Sequence, residues 1–332
     1  MTFAFLLLLA AAIYMSCEYF VNGVEWVGHN LHLGATTTGT LLAAFGTALP
    51  ESAVTFVAVV FGRDSAQKDI GVGAALGGPL VLATIAYAVI GGVLLLNRRR
   101  LQRRDTWVEV DQRRLSQDQM WFLAIFVFKV ALGLFAFSYK PALGGLFLLA
   151  YAAYVWREVS HDERPAQSES LEPLKFRPRS PSPGLSWACL QTLLALVVIG
   201  IASRLFVVQL QAVADHWQWP PHLVALFLSP IATELPETMN AVIWVRQGRE
   251  RLAFANVSGA MMIQATVPSA LGIFFTPWLF DCTLIWAGVL TAVAVLILWS
   301  MFRRGRVHAG YLVPVSLIYV LFAVLTMFCR GG

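Results

Sequence analysis

Two stretches of this 332-residue sequence place carboxylates where an apolar chain has no routine use for them. The first is Phe45-Gly46-Thr47-Ala48-Leu49-Pro50-Glu51, and the second is Ile231-Ala232-Thr233-Glu234-Leu235-Pro236-Glu237. Each sets a threonine and a glutamate four residues apart, beside a proline, inside an otherwise apolar run. A carboxylate in the middle of a lipid-spanning helix costs from about 3 kcal/mol upward. Its recurrence in the same local frame therefore points to use. The proline frees a backbone carbonyl, which membrane helices tolerate where the break is buried in protein or lines a cavity. Carbonyl, hydroxyl and carboxylate oxygens together are the ligand set of a hard cation. Glu51, Glu237, Thr47, Thr233 and Glu234 are thus candidate metal ligands of an ion site at mid-membrane.

The elements that must position them are helices in a bilayer. Hydrophobic residues make up 58% of the chain and charged residues only 13%, about half the charged share of a soluble domain. The formal net charge of +5 raises the question of nucleic acid, but the basic residues lie in short clusters between apolar runs. Judged against the roughly 20 residues a bilayer needs, the sequence predicts ten spans, at about 2–28, 34–61, 69–96, 120–137, 141–159, 186–213, 222–246, 253–276, 282–301 and 309–329. The apolar run from Phe3 to Met15 lacks a preceding basic region and continues past Cys17 towards Val27, so it reads as a first span and not as a signal peptide. Residues 161–185 carry Pro165, Pro173, Pro178, Pro181 and Pro183 with mixed charge, and read as a cytoplasmic linker between halves 1–160 and 186–332. Cys17, Cys189, Cys282 and Cys329 show no metal or disulfide spacing and are expected to be buried free thiols.

Lysine and arginine set the orientation. Arg98, Arg99, Arg100, Arg103, Arg104, Arg113, Arg114, Arg157, Arg164, Lys175, Arg177, Arg179, Arg246, Arg249, Arg251, Arg303, Arg304 and Arg306 fall on one side of a ten-span chain. Only Arg63, Lys68, Lys140 and Arg330 fall on the other. The asymmetry puts both termini away from the cytoplasm of a bacterial-type inner (plasma) membrane. Five spans per half means that the second half is inverted relative to the first. A shift of 186 positions carries Thr47 onto Thr233, Pro50 onto Pro236, Glu51 onto Glu237 and Gly62 onto Gly248. After a four-residue deletion, Gly73 and Gly77 match Ala255 and Gly259, small residues four apart that let helices approach closely. The fold expected is an all-α membrane protein of ten transmembrane helices, two inverted five-helix repeats. Inverted repeats with interrupted helices and a midplane site mark secondary transporters.

At these residues the chain resembles the cation/calcium exchanger superfamily, the sodium/calcium exchangers and their prokaryotic relatives. Gly46-Thr47-Ala48-Leu49-Pro50-Glu51 is similar to that family's first α-repeat motif, and Thr233-Glu234-Leu235-Pro236-Glu237 to its second. The α-repeats would occupy about 34–96 and 222–276. The resemblance implies ten helices, with Glu51 and Glu237 as central ligands that bind Ca²⁺ in alternation with a driving ion. It also implies that Thr47 and Thr233 add carbonyl or hydroxyl oxygens. The chain departs from the family where a Gly-Ser-Asn-Ile-Phe-Asn-like segment is usual. The first copy reads Gly77-Gly78-Pro79-Leu80-Val81-Leu82, with no side-chain oxygen. The second reads Gly259-Ala260-Met261-Met262-Ile263-Gln264, keeping the Gln264 amide. Ala48 and Glu234 stand where the family has serine, so side chains associated with Na⁺ are mostly gone and one carboxylate is added.

Three carboxylates crowded in a poorly hydrated site cannot all stay ionised without a cation, so the empty site is expected to hold protons that a divalent ion displaces. The reading is antiport of a divalent cation, Ca²⁺ first, for H⁺ or Na⁺. The alternative is a non-transporting sensor or partner subunit of the same fold. Inorganic cations and the lipid bilayer are the expected partners, and nucleic acid is not. No His-Glu-x-x-His run, Gly-x-Ser-x-Gly or phosphate loop supports an enzyme, and no cofactor is expected. Other polar residues have plainer readings. Glu18 matches Arg204 under the same shift, which suggests an ion pair between the first and sixth spans. Lys129 is expected to pair locally or to snorkel along its apolar stem. Thr36, Thr37, Thr38 and Thr40 read as helix-to-helix hydroxyl contacts. His29, His32, His161, His216, His222 and His308 read as interfacial.

Overall fold

The structure is a computed structural model that describes residues 2–31, 49–98, 105–108, 110–161, 171–180 and 182–331. Eleven helices are named in chain order. They are α1 (Thr2–Asn30), α2 (Leu49–Val60), α3 (Ser65–Leu96), α4 (Gln112–Leu134), α5 (Gly144–His161) and α6 (Leu185–Trp217), followed by α7 (Pro221–Thr233), α8 (Leu235–Arg246), α9 (Glu250–Phe275), α10 (Cys282–Arg303) and α11 (Ala309–Cys329). No strand occurs among the described residues beyond one isolated bridge between Trp107 and His308. The helix starts follow from local chemistry. Asp64, Asp111 and Asp281 accept hydrogen bonds from the Gln67, Arg114 and Leu284 N–H groups at 2.8, 3.1 and 2.9 Å. These side chains satisfy donors that the first turn leaves orphaned.

Seven helices, α1, α3, α4, α6, α9, α10 and α11, are long and apolar enough to cross a membrane. Two other expected spans are not met as single long helices, and much of a third lies outside the described residues. Of 34–61, only α2 lies among the described residues, and Thr36, Thr37, Thr38, Thr40 and Thr47 fall outside them. The 141–159 span is the 18-residue α5 behind a 3-10 turn at Lys140–Leu143. The 222–246 span is broken at Glu234 into α7 and α8.

α3 and α9 are the most enclosed of the long helices, while α6 leaves Leu193, Leu196, Val197 and Ile201 exposed as a lipid-facing stripe. Helix pairs α1 with α6, α3 with α7, α4 with α10 and α5 with α9 make the main contacts. The α3–α7 crossing explains the glycines of the first repeat. A Cβ on Gly73 would overlap the His222 carbonyl, and one on Gly77 would lie 2.7 Å from the Leu226 carbonyl oxygen and 2.8 Å from Pro230 Cγ. Pro230 has no N–H to bond Leu226 one turn back, so the freed carbonyl meets Gly77. Gly259 of the second repeat has no such neighbour among the described residues.

Two expectations are corrected by the packing. Cys282 and Cys329 are joined by a disulfide (Cα–Cα 5.8 Å), because the start of α10 and the end of α11 meet; Cys17 and Cys189 are free. Glu18 pairs with Lys175 at 2.8 Å and not with Arg204, which is exposed on α6. Lys175 comes from a linker that is docked: Leu174 is fully buried against Trp26 and Ala188, Trp26 Nε1 donates to the Glu172 carbonyl at 2.9 Å, and Asn22 Oδ1 accepts from the Lys175 N–H at 3.0 Å. Gln191 adds a bond from its amide to the Tyr19 carbonyl at 2.8 Å. Lys129 does not snorkel but is wholly buried, and among the described residues its ammonium pairs with a backbone carbonyl and a hydroxyl and not with an acid.

Gly73→Val is expected to pry α3 from α7 and to cost about 1–3 kcal/mol, read as a lowered Tm of the detergent-solubilised protein. Gly92→Ala, where an added Cβ meets nothing within 4 Å among the described residues, is the control expected not to lower Tm, since alanine suits a helix interior better than glycine.

Candidate cation-binding site

The break between α7 and α8 and the described part of α2 bring Glu234 and Glu237 of the second motif to Glu51 of the first. Pro236 stands in the first turn of α8, and its lack of an N–H makes Glu234 the residue at which the helix pauses. Glu234 keeps near-helical dihedrals (φ −101°, ψ −11°), so α8 continues with only a local break. Glu51 lies in α2 and Glu237 in the first turn of α8. Glu51, Glu234 and Glu237 are 1%, 1% and 2% exposed, so the acids are sealed from solvent.

Each acid has its own surroundings. The Thr233 hydroxyl donates to Glu234 Oε1 at 2.8 Å, and the Gln264 amide of α9 donates to Oε2 at 2.7 Å. Glu234 is therefore clamped by both halves of the second repeat. Glu51 faces the Glu234 carboxyl, and neither of its oxygens has a hydrogen-bond donor among the described residues. Glu237 feels Glu234 most strongly and lies within electrostatic reach of Tyr14 and Cys17 on α1, with its Oε2 unpartnered. The three acids come within electrostatic reach of one another. Among the described residues no three acidic, histidine or cysteine side chains stand as one preformed metal cluster.

The glycines that replace the usual polar side chains of the first repeat have a structural consequence. A Cβ on Gly78 would collide with Oε2 of Glu51, so the Glu51 carboxyl lies against the bare backbone of α3. Sequence reasoning read Gly77 to Leu82 as a segment without side-chain oxygens and missed this cradle. It also passed over Thr55 and Ser229, whose buried hydroxyl oxygens have no partner among the described residues. Thr55 stands one turn after Glu51, a helical spacing visible in the sequence; Ser229 carries no comparable signal. Buried oxygens left unpaired call for an explanation, and a bound cation would supply one. Gln264 Oε1 belongs to the same unpaired set.

A sequence model of the sodium/calcium exchanger proteins matches residues 1–159 and 187–328. The chain belongs to the sodium/calcium exchanger family. It is 24% identical over 302 residues to the candidate antiporter CaxA of Alkalimonas amylolytica, covering 88% of this chain and 87% of that protein. It is 25% identical over 302 residues to the inner membrane protein YrbG of Escherichia coli (strain K12), covering 86% and 87%. In fold it is similar to the H⁺/Ca²⁺ exchanger CAX, with a TM-score of 0.74 at 16% identity, over 99% of this chain and 87% of that one. It is also similar to the sodium-calcium exchanger NCX_Mj, with a TM-score of 0.59 at 17% identity over 98% and 99%. The all-helical exchanger fold and the transporter family are thus in place, and the mid-chain region 160–186 lies outside the family match.

At the end of the bundle where α7 and α10 begin, His222 Nε2 lies 2.9 Å from Asp281 Oδ2 and ties α7 to α10. Partial burial pushes the Asp281 carboxyl up, but His222 and the Leu284 N–H outweigh it and hold the group below its usual range. The Asp281 contribution is therefore present above the ordinary carboxylate range and is lost in acid.

Gly78→Ala is expected to displace the Glu51 carboxyl and to weaken Ca²⁺ binding about tenfold, or about 1.4 kcal/mol, measured by calorimetry on the purified protein. Retained wild-type affinity would show that Glu51 does not need the α3 cradle.

Proposed function

We propose that this family member is a secondary active antiporter that exchanges a divalent cation, Ca²⁺ foremost, for protons across the inner membrane by alternating access. The observation that carries the reading is the sealed pairing of Glu51 with Glu234, fixed by Thr233 and Gln264 and flanked by unpaired oxygens of Glu51, Ser229, Gln264 and Glu237. Two carboxylates held face to face in a water-excluded space repel each other, and either a divalent cation or a shared proton removes the repulsion. That exclusivity is what antiport needs: one occupant leaves as the other enters. Na⁺ is the less favoured driving ion, because the Gly77 to Leu82 segment of α3 offers no side-chain oxygen. Thr47 would add an oxygen from outside the described residues.

The architecture we propose is ten spans in two inverted halves, 1–160 and 186–332. The helix pairing supports it. In such a repeat α1 corresponds to α6 and α4 to α10, and each of those pairs packs directly together. The pairing of α5 with α9 is mirrored by contacts between the end of α3 and the start of α11. Orientation has independent support from the disulfide. Cys282 opens α10, and Arg303, Arg304 and Arg306 close it some 30 Å away at 1.5 Å per residue. The bond therefore lies at the end opposite the basic clusters, where an oxidising compartment preserves it.

Two measurements test these readings. In proteoliposomes, a pH gradient alone is expected to drive Ca²⁺ uptake that a Glu51→Gln, Glu237→Gln double variant abolishes; uptake driven only by Na⁺ would overturn proton coupling. Ca²⁺ binding without flux under either gradient would favour the sensor reading instead. For orientation, Cys282→Ser frees Cys329, which a membrane-impermeant maleimide is expected to label on intact cells. Labelling only after lysis would place that face in the cytoplasm.

A further inference from the structure

The site described so far holds three acids and no visible counter-charge, yet one cation lies buried behind it. Lys129, in the middle of α4, is 0% exposed. Its ammonium donates to the Ala75 carbonyl of α3 at 2.9 Å and to the Ser269 hydroxyl of α9 at 3.0 Å, and sits 4.6 Å from the centre of the Phe126 ring. No carboxylate lies within ion-pair distance of it among the described residues; the acid whose charge acts on it is Glu51. A buried ammonium without a direct ion pair is costly, and a carbonyl, a hydroxyl and a ring face offset only part of that cost. Those partners are also what a small monovalent cation would find: two oxygens between α3 and α9, in the field of a carboxylate.

The position is tied into the acid site through α9. Ser269 lies 3.3 Å from the Gln264 carbonyl, to which its hydroxyl donates while accepting from Lys129. Gln264 in turn clamps Glu234. Ala75 precedes the Gly77-Gly78 cradle of Glu51 by less than one helical turn. Charge balance gives the arrangement its meaning. Three carboxylates carry three negative charges, Lys129 supplies one positive charge, and a divalent cation supplies the other two.

We propose that the Lys129 ammonium is a tethered counter-cation that fills the monovalent cation position beside the acid site, so that the divalent ion binds as the sole mobile cation. This rests on the divalent-cation reading of the site above, and it deepens that reading by assigning the second cation to the protein itself. Lys129 acts through Glu51 and is a positioning and charge-balancing residue that does not touch the transported ion.

The test is equilibrium binding of radiolabelled Ca²⁺ and Na⁺ to the purified full chain in detergent at one pH, which needs no flux. In the wild type, a large excess of Na⁺ is expected to leave Ca²⁺ binding unchanged. Lys129→Met removes the charge at similar volume and is expected to bind Ca²⁺ about tenfold more tightly, because the repulsion of a nearby positive charge is gone. Lys129→Ala, which vacates the two oxygens, is expected to gain saturable Na⁺ binding. A monodisperse Lys129→Met protein with wild-type Ca²⁺ affinity, or Na⁺ competition in the wild type, would overturn the proposal. The wild-type competition decides the matter even when neither variant folds. Ca²⁺ binding with these signatures but no flux would sink the antiport reading alone, and absence of any divalent binding would sink both.

Discussion

Carboxylates enclosed by apolar helices have to find hydrogen bonds or positive charge nearby, and the interior of this protein is arranged around three that do so in different ways. Glu234 is satisfied by two donors, from Thr233 and Gln264. Glu51 is satisfied by none among the described residues and is left facing Glu234, with the Lys129 ammonium in the background. Glu237 stands apart, toward α1. The difference between a fixed acid and an unpaired one is what makes an exchangeable site possible. A fully bonded carboxylate has little to gain from an ion, whereas an unbonded one in the same pocket has a great deal.

That constraint propagates outward through the backbone. For Glu51 to reach the centre, α3 must offer a surface without Cβ atoms, which Gly78 provides. For α3 to lie that near, Gly73 and Gly77 must accept the backbone of α7. The same α7 ends at Glu234 because Pro236 starts a new helix there. Prolines and glycines, which weaken a helix in isolation, are concentrated where close backbone contact and a broken helix place oxygens at the site. Away from the centre the helices are ordinary apolar spans with lipid-facing leucines and valines.

The periphery holds the halves in place at both ends. On the basic side, the 171–176 stretch docks between α1 and α6 through Leu174, Asn22, Gln191 and the Glu18–Lys175 pair. On the other, the Cys282–Cys329 bond joins α10 to α11 and the His222–Asp281 contact joins α7 to α10. These ties bear on α1, α6, α7, α10 and α11, while the central α3 and α9 lie in the main core and are bridged by the Lys129 ammonium.

The sequence alone determined that the chain is helical and membrane-embedded, and it named three acids that the structure buries. Hydropathy, span length and the Thr47/Thr233 and Glu51/Glu237 correspondence are local properties, written in consecutive residues and readable without knowing which helix touches which. It also foretold the close approach of Gly73 and Gly77, because a four-residue spacing of small residues has one physical use in a bilayer. Only the tertiary structure decided that Glu51 faces Glu234 while Glu237 looks elsewhere, that Glu18 takes Lys175 in place of Arg204, that Cys282 meets Cys329, and that Lys129 is buried against α3 and α9. Each of those depends on the rotation of one helix against another. Rotation is set by the packing of whole helix faces, to which no single motif contributes enough to be read in advance.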